Sequence, residues 1–477
     1  MSIETSGNSR TSTRRAGVLL HITSLPNELG KKGRLDQNAW RFVDWLAEAK
    51  LSTWQFLPLN HPHSDGSPYN SVSAFAMNPA FLPEDWQAQL DTQGYREFLK
   101  DEPFWLHDYA LFIVLKQQHQ QQCWSDWPEE FKSREPQALK AFTAANAESI
   151  DDLKQQQFFL LSQWNDLKTY ANQKGIEFFG DIPIFVSYDS ADVWAYSQEF
   201  LLNEDFLPPV VTGVPPDYFS ETGQRWGNPH YDWQHMEKDG FQWWLKRIGH
   251  SLALFDLVRI DHFRGLQASW VIDAAEETAI NGYWKEVPGE ALLQAVKEQY
   301  PDMPIVAEDL GLITPEVVAL KEGFELPGMS VLQFGFNGLP DNPHALNEQV
   351  ENSVAYTGTH DNDTSLGWFN TLDDSAKNWV MECLGQYEAD VKEVLPNLNE
   401  MPWPLIIAGM HSVAQRLVVP MQDFLMLDSE HRMNVPGIAD GNWGWQFQWT
   451  DVPTHLVMQI AQLVQHGQRI NFIQHTN

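Results

Sequence analysis

The chain has 477 residues, of which 64 are acidic and 31 basic, so its formal net charge at neutral pH is −33. A surface this negative repels phosphate backbones and anionic membranes, which argues against nucleic acid or a membrane as partner and favours a neutral ligand. The hydrophobic content of 43% is that of a globular protein, long enough for one large core with insertions or for two to three ordinary domains.

The N-terminal segment, residues 1–15, is predicted to be a disordered leader ahead of a first strand. A signal peptide is the alternative, but His21 interrupts the apolar run "AGVLLHI" and no small-residue cleavage site follows it. No run of about 18 apolar residues exists that could span a bilayer. Cys123 and Cys383 are too few for a disulfide framework and lack a metal-ligand spacing, which favours a cytoplasmic protein.

Eight short apolar or β-branched runs, each followed by a polar cluster, predict eight β-strands. In chain order they are "AGVLLHITS" (16–24), "STWQFLPLN" (52–60), "GIEFFGDIPIF" (175–185), "FDLVRIDHFRG" (255–265), "MPIVAEDLG" (303–311), "MSVLQFGF" (329–336), "SVAYTGTHDND" (353–363) and "MQDFLMLD" (421–428). Segments with helix-like periodicity lie between them, for example at 291–299 and 315–323. Strands that alternate with helices predict an α/β fold, and eight parallel strands close a (β/α)8 TIM barrel. The alternative is an open doubly wound sheet, but no glycine-rich phosphate turn follows the first strand.

Two intervals between predicted strands are too long for a simple crossover. The interval at about 61–174, between strands two and three, has largely helical periodicity, and the one at about 186–254, between strands three and four, is rich in proline, glycine and aromatic residues. We expect both to be insertion subdomains, largely helical, that cover the C-terminal mouth of the barrel. Residues 16–477 are thus predicted to form one catalytic barrel, without a separate C-terminal β-domain.

Acidic residues follow three of the predicted strands: Asp261 after strand four, Glu308 after strand five and Asp361 after strand seven. The C-terminal ends of the strands form the mouth where barrel enzymes keep their catalytic residues. Like charges that meet there raise each other's pKa, a cost that stability alone does not explain. The three acids are therefore predicted to belong to an active site.

The surroundings of Asp261 and Glu308 predict different chemical roles. In an extended "DLVRIDHFRG" segment Arg259 shares a strand face with Asp261 and should hold that carboxylate ionised, although a structural ion pair is the alternative. Glu308 follows an apolar run without a basic neighbour, so desolvation should raise its pKa. An ionised carboxylate beside a protonated one is what cleavage of a glycosidic bond requires. Metal-dependent hydrolysis by His360 and Asp361 is an alternative on these residues alone.

Longer motifs occur in order from about residue 16 to about residue 447. They are "GVLLHITSLP", "QFLPLNHPHSDGSPYNSVSAFAMNP", "GDIPIFVSYDSADVW", "GVPPDYFSETGQRWGNPHYDW", "FDLVRIDHFRG", "VAEDLG", "PGMSVLQFGF", "AYTGTHDNDT", and "QDFLML" leading to "RMNVPG" and "GNWGW". Together they resemble the 4-α-glucanotransferases of the amylomaltase, or disproportionating enzyme, type. This is glycoside hydrolase family 77 of the α-amylase clan.

The resemblance implies a role for each acid. Asp261 resembles the family's nucleophile, Glu308 its general acid and base, and Asp361 the residue that stabilises the transition state at the donor sugar. Arg259 and His360 match residues that position the nucleophile and bind hydroxyl groups there. Further implied sugar contacts are Tyr69 in "SPYN" with Ser67 nearby, Asp217, Tyr218 and Phe219 in a loop over the acceptor side, Gln224 and Trp226 in "GQRWG", and Asn434 in "RMN".

The activity that the resemblance implies is transfer of α-1,4-glucan segments. The donor would be a maltooligosaccharide, the acceptor the 4-hydroxyl of a glucan or of glucose, and the mechanism a retaining double displacement through a covalent glucosyl-Asp261 intermediate. No cofactor and no metal are implied, and the ligands are neutral maltooligosaccharides, glucose and α-1,4-glucans. The alternatives are a retaining α-1,4-glucan hydrolase and a non-catalytic glucan-binding protein.

Overall fold

The computed structural model describes residues 14–28, 30–216, 220–388, 398–438 and 440–469. Within these ranges the chain has twelve β-strands. They are β1 (Arg15–Leu19), β2 (Thr53–Gln55), β3 (Glu177–Pro183), β4 (Val210–Val214), β5 (Gln224–Pro229), β6 (Leu257–Asp261), β7 (Ala268–Asp273), β8 (Gly282–Glu286), β9 (Ile305–Ala307), β10 (Gly328–Val331), β11 (Ser353–Tyr356) and β12 (Arg416–Pro420).

The α-helices of the described residues lie between these strands and after the last of them. They are α1 (Gln37–Glu48), α2 (Trp86–Gln89), α3 (Thr92–Phe98), α4 (Leu106–Gln118), α5 (Glu129–Lys132), α6 (Pro136–Ala145), α7 (Ala147–Gln173), α8 (Ala191–Ala195), α9 (Trp233–Asp239), α10 (Gln242–Leu254), α11 (Gly289–Gln299), α12 (Pro315–Gly323), α13 (Ser365–Thr371), α14 (Asp374–Glu388), α15 (Trp403–His411), α16 (Met421–Phe424) and α17 (Leu456–His466). None of them is long and apolar enough to cross a membrane.

Eight strands form one parallel sheet in the order β10-β11-β12-β1-β2-β3-β6-β9. The two ends of this order meet, because the N–H of Ala307 in β9 donates to the carbonyl of Pro327, directly before β10, at 2.8 Å. A carboxylate oxygen of Asp309 bridges the same seam by accepting the N–H of Met329 at 2.7 Å. The sheet is a (β/α)8 TIM barrel, and the predicted fold is confirmed.

One apolar cluster fills the inside of the barrel. Its buried members are Leu19, Leu57, Phe179, Val306, Met329, Val331, Val354, Tyr356, Val418, Met433 and Trp443. The opposite faces of the strands pack on helices such as α1, which buries Phe42, Val43 and Leu46 along one side, as a helical repeat requires. Strands buried on both faces read as continuous apolar runs, which is why most of them are recognisable in the sequence.

The eighth barrel strand differs from the prediction. The strand is β12, whereas the run predicted for it, 421–428, begins with the short helix α16. The segment "RLVVP" of β12 is β-branched and mostly buried, and it pairs with both β1 and β11. The predicted run begins directly after Pro420, and its apolar residues fit a buried helix as well as a strand.

The second insertion is not wholly helical. It contains β4 and β5, which join β7 and β8 in an antiparallel sheet of order β5-β4-β7-β8. Because β7 follows the fourth barrel strand, the pairing of β4 with β7 is long-range and leaves no local hairpin pattern in the sequence. Between β2 and β3, by contrast, the described residues form helices α2 to α7.

The start of the barrel lies inside the predicted leader. β1 begins at Arg15, whose guanidinium forms an ion pair with Glu177 of β3 at 2.8 Å. Residues 1–13 of that leader lie outside the described residues.

Candidate active site

The barrel topology brings the three acids to one mouth. Asp261 is the last residue of β6, Glu308 directly follows β9, and Asp361 lies in the loop after β11. In barrel order these are the fourth, fifth and seventh strands. All three strands are parallel, so their C-terminal ends face the same side of the molecule.

Arg259 lies two residues before Asp261 on β6. It is buried beneath this mouth, with 4% of its surface exposed. Its Nε and Nη2 donate to both carboxylate oxygens of Asp181, at 2.9 and 2.7 Å, and Nη2 also donates to Asp261 at 2.9 Å. The hydroxyl of Tyr69 donates to Asp181 at 2.6 Å. One guanidinium is therefore shared by two carboxylates, with the bidentate contact made to Asp181.

The sharing of Arg259 changes the expected electrostatics of Asp261. Burial raises the pKa of Asp261 well above its ordinary value, and Arg259 opposes this shift only in part. The negative charges of Asp181, Glu308 and Asp361 raise the pKa of Asp261 further. The expectation that Arg259 holds Asp261 ionised stays a prediction: Arg259 lowers the pKa of Asp261, but burial acts in the opposite direction, and Asp181 takes two of the guanidinium's hydrogen bonds.

Glu308 is held against the residue that follows Asp261. One of its oxygens accepts the backbone N–H of His262 at 2.7 Å, and the other accepts the N–H of Leu310 at 2.9 Å. His262 has a left-handed backbone with φ 52°, which ends β6 and turns its N–H toward Glu308. Burial raises the pKa of Glu308 to about 6. The carboxyls of Asp261 and Glu308 influence each other, so they lose their protons as a pair.

Asp361 is the most exposed of the three acids, with 49% of its side chain accessible. Its Oδ1 accepts a hydrogen bond from Nδ2 of Asn434 at 2.6 Å and lies 3.3 Å from Nε2 of His360. Burial lowers the pKa of His360, so its ring is neutral near pH 7 and approaches Asp361 as a dipole. Nη2 of Arg432 donates to the backbone carbonyl of Asp361 at 3.0 Å and fixes the loop.

Aromatic rings lie beside these polar groups. The rings of Tyr69 and His360 are stacked, with centroids 5.1 Å apart and planes 15° from parallel. Trp443 packs against both, at 5.8 and 6.1 Å, and is 8% exposed. Burial raises the pKa of Tyr69 well above its ordinary value, so the phenol stays protonated and keeps donating to Asp181. The apolar faces of sugar rings stack on such platforms.

A cleft of about 460 Å³ opens over these groups. It is lined by Ser67, Tyr69, Asn70, Pro183, Ile184, Phe185, Gln224, Trp226, Asn228, Asp261, His262, His360, Asp361, Asn434, Pro436, Gly437 and Trp443. Of the residues singled out in the sequence, Arg259 and Glu308 are not on its wall but contact wall residues. Asp217, Tyr218 and Phe219 lie outside the described residues.

The start of β5 forms another part of the cleft wall. Nε1 of Trp226, a residue 38% exposed, donates to Oε1 of Gln224 at 3.1 Å. The Trp226 ring meets the His262 ring edge-on, with centroids 4.9 Å apart and an angle of 88°. On the other side, Oγ of Ser67 accepts the N–H of Tyr69 at 3.3 Å and thereby helps to fix the aromatic platform.

Sequence reasoning did not single out Trp443 or His262 as part of the wall. Trp443 belongs to the quoted motif "GNWGW", and its place in this motif was the available signal that it lines the cleft. His262 directly follows Asp261, and its contribution comes from a backbone turn that the sequence does not reveal. Among the described residues of the cleft, no three histidine, cysteine or acidic ligand atoms approach closely enough to hold a metal ion.

A (β/α)8 barrel with three acids around an aromatic-walled cleft defines a carbohydrate-active enzyme of the glycosidase type. The family model described as 4-alpha-glucanotransferase, glycoside hydrolase family 77, matches residues 20–94 and 83–451. The 4-alpha-glucanotransferase of Thermus thermophilus is 43% identical over 477 aligned positions, which cover 91% of this chain and 94% of that protein. The chloroplastic/amyloplastic 4-alpha-glucanotransferase of Solanum tuberosum is 41% identical, with coverage of 91% and 82%.

Solved structures give the same result. The amylomaltase from Streptococcus agalactiae, in complex with acarbose, superposes with a TM-score of 0.89 and 32% identity, over 96% of this chain and 100% of that chain. The amylomaltase from Corynebacterium glutamicum has a TM-score of 0.74 at 16% identity and shares the fold. The chain belongs to glycoside hydrolase family 77, the 4-alpha-glucanotransferase family.

Proposed function

We propose that the protein is a 4-alpha-glucanotransferase that moves α-1,4-glucan segments from a donor maltooligosaccharide to the 4-hydroxyl of an acceptor glucan or of glucose. The observation that carries this proposal is the coupled acid pair at the mouth: Glu308 is hydrogen-bonded to the backbone of His262, directly after Asp261. A nucleophile and an acid on neighbouring strand ends suit a retaining mechanism, in which the two carboxyls are about 5–5.5 Å apart.

In the first half of the reaction Asp261 attacks the anomeric carbon while Glu308 gives its proton to the leaving oxygen. The pair needs one proton in total, and the raised pKa values of both carboxyls favour keeping it. The contact with Arg259 favours placing the negative charge on Asp261 when the pair holds one proton. Asp361 faces the same cleft and stabilises the positive charge that develops on the sugar ring.

In the second half Glu308, now ionised, takes the proton of the acceptor's 4-hydroxyl as that oxygen attacks the glucosyl-Asp261 ester. The ester bond breaks, an α-1,4 bond forms and Asp261 is released, so two inversions give net retention. Transfer must outrun attack by water, which requires a bound and oriented acceptor. Trp226, which projects into the cleft beside His262, is placed to hold this acceptor.

The roles proposed for the remaining residues follow the family resemblance, and their place in the cleft wall supports them. Tyr69 and His360 form the platform under the donor sugar, and Asn434 and Ser67 bind at its edges. Gln224 binds with Trp226 on the acceptor side. The loop of Asp217, Tyr218 and Phe219 is proposed to cover the bound acceptor.

The ligands are proposed to be maltooligosaccharides, glucose and longer α-1,4-glucans, all neutral. Such ligands suit a chain with a formal charge of −33, because they bring no charge into an acidic cleft. A cytoplasmic location is proposed in keeping with the two cysteines, both of which are free.

Incubation with maltotriose tests the activity. Transfer produces a ladder of longer maltodextrins together with glucose, because each donated segment is joined to another chain. Hydrolysis only shortens the substrate to maltose and glucose. Chromatography of the products over time distinguishes transfer from hydrolysis. The absence of any product would contradict both activities and favour a non-catalytic glucan-binding protein.

Asp261→Asn tests the nucleophile. An amide does not form the glycosyl ester, so we expect turnover of maltotriose to fall by about 10⁴-fold or more while the melting temperature stays close to that of the wild type. Asp256→Asn is the matched control, since Asp256 precedes the same strand at its opposite end and accepts the N–H of Phe178. Near-normal turnover of Asp261→Asn would reject the assignment.

Glu308→Gln tests the general acid. We expect turnover of maltotriose to fall by about 10²–10⁴-fold, because the sugar leaving group needs a proton. Release of fluoride from α-maltosyl fluoride needs no such proton, so the first burst of fluoride should persist. Stopped-flow measurement of both donors separates the two steps, and equal losses with both would show that Glu308 has another role.

A further inference from the structure

Outside the cleft, a group of three metal-binding side chains is formed by Glu199, His235 and Asp239. One ligand atom of each lies within 4.8 Å of the other two. His235 and Asp239 are four positions apart on α9, which places them on one face of the helix. Nε2 of His235 is 3.7 Å from Oε1 of Glu199. None of the three lines the cleft.

The independent observation that points to a ligand is the state of Glu199. The residue is 5% exposed, yet its Oε2 has no hydrogen-bond partner among the described residues. Its Oε1 accepts only a long hydrogen bond of 3.4 Å from Gln198. A buried carboxylate oxygen without a donor is costly unless a cation or a proton satisfies it.

The backbone around Glu199 fixes it in place opposite α9. The N–H of Asp232, the residue before α9, donates to the carbonyl of Glu199 at 2.8 Å. The N–H of Leu201 donates to the carbonyl of His230 at 2.8 Å, and Phe200 forms a bridge with Tyr231. The two segments are thus positioned before any ion binds, which lowers the cost of assembling a site.

The charges around Glu199 leave room for a cation. The ammonium of Lys246 lies 4.9 Å above the ring of Phe104 and forms no ion pair with Glu199. The described cations near this group therefore leave its two carboxylates without a direct ionic partner.

We propose that Glu199, His235 and Asp239 bind a divalent transition-metal ion of the zinc type. One imidazole nitrogen and two carboxylate oxygens are ligands that Zn²⁺ accepts at about 2.0–2.2 Å, with water in a remaining position. Around such an ion the ligand atoms are about 3.3–3.6 Å apart, a spacing that the His235 and Glu199 atoms already approach. Asp239 is exposed at the end of α9, where its Oδ1 accepts the N–H of Gln242 at 3.3 Å.

The proposed ion would join the two ends of the segment that contains β4 and β5, because Glu199 precedes β4 and α9 follows β5. β5 begins with Gln224 and carries Trp226, which line the acceptor side of the cleft. The role is therefore structural and distinct from the reaction, and it adds a site where the sequence analysis predicted none.

Calorimetric titration of the EDTA-treated full-length protein with ZnCl₂ tests the proposal. We expect one equivalent to bind and the melting temperature to rise with zinc. His235→Asn and Asp239→Asn should each weaken binding by at least about tenfold, because each removes one ligand. These two residues are more exposed than Glu199, so the variants should fold even where Glu199→Gln does not.

His431→Asn is the matched control. His431 is 41% exposed and 3.0 Å from Asp428, but none of the described residues supplies a third ligand to this pair, so zinc affinity should not change. Equal affinity in the wild type and His235→Asn would overturn the proposal, as would the absence of stoichiometric binding. Binding of Ca²⁺ in preference to Zn²⁺ would also overturn it, since it would indicate an all-oxygen site. The maltotriose experiment is independent of each outcome.

Discussion

Arg259 contacts two carboxylates, and the way in which they share it affects the pKa of Asp261. Asp181 takes both Nε and Nη2, whereas Asp261 receives a single hydrogen bond from Nη2. Arg259 offers one positive charge to two carboxylates, so the negative charge of Asp181 raises the pKa of Asp261 while Arg259 lowers it. A nucleophile with a raised pKa is active only above that pKa, so the acidic side of the pH profile reports on this cluster.

Asp181→Asn should move the acidic limb of the profile of kcat/KM to lower pH. The amide can still accept a hydrogen bond from Arg259, but the negative charge at this position is lost. Its loss lowers the pKa of Asp261, because the charge of Asp181 raises that pKa in the wild type. Since the proposed nucleophile Asp261 must be ionised to attack, activity should persist at more acidic pH than in the wild type. Rates with maltotriose across the acidic range give the measurement.

Asp192→Asn is the control for this variant. Asp192 is 2% exposed, comparable with the 4% of Asp181, but it accepts the N–H of Ala74 rather than hydrogen bonds from Arg259. Its substitution should leave the position of the acidic limb unchanged. Melting curves verify that both variants are folded. A limb that stays in place or moves to higher pH in Asp181→Asn would contradict the electrostatic interpretation.

At the scale of the elements, the barrel depends on how β9 meets β10. These strands are the two ends of the hydrogen-bonded order, and Asp309 joins them through the N–H of Met329. The same carboxylate accepts Nζ of Lys321 in α12 at 2.7 Å. Glu308, the proposed general acid, directly precedes Asp309 in the chain.

Asp309→Ala should lower the free energy of unfolding by about 1–3 kcal/mol, because it leaves a buried N–H and an ammonium without their acceptor. Asp309→Asn should lower the free energy of unfolding by less, since its amide oxygen can still accept the N–H of Met329. Urea unfolding followed by tryptophan fluorescence gives both values. Asp302→Ala, an exposed residue shortly before β9, is the control, and a loss of the same size there would contradict the assignment to the seam.

At the scale of the whole molecule, the formal charge of −33 dominates the surface. The electrostatic field of this surface does not speed the association of neutral glucans. We therefore expect kcat/KM for maltotriose to change by less than about twofold between about 0.05 and 0.5 M NaCl. The melting temperature should rise over the same range, because salt screens the repulsion among the acidic residues. A strong salt dependence of kcat/KM would instead indicate a charged substrate.

Local patterns in the sequence determined much of this protein. Seven of the eight barrel strands were recognisable because parallel strands buried on both faces are continuous apolar runs. The acids Asp261, Glu308 and Asp361 were found because each follows such a run, and strand order then places them at one mouth. The raised pKa of Glu308 was also foreseeable, since it follows an apolar segment and lacks a neighbouring cation in sequence.

Contacts between distant segments were decided only by the tertiary structure. The division of the Arg259 charge depends on Asp181, which lies 78 positions earlier in the chain. The antiparallel sheet depends on β4 pairing with β7, and the eighth strand on β12 lying between β1 and β11. The hydrogen bond from His262 to Glu308 depends on one left-handed residue. Local patterns encode burial and periodicity, whereas pairing partners and the sharing of charge are set when the chain folds and remote groups meet at hydrogen-bonding distance.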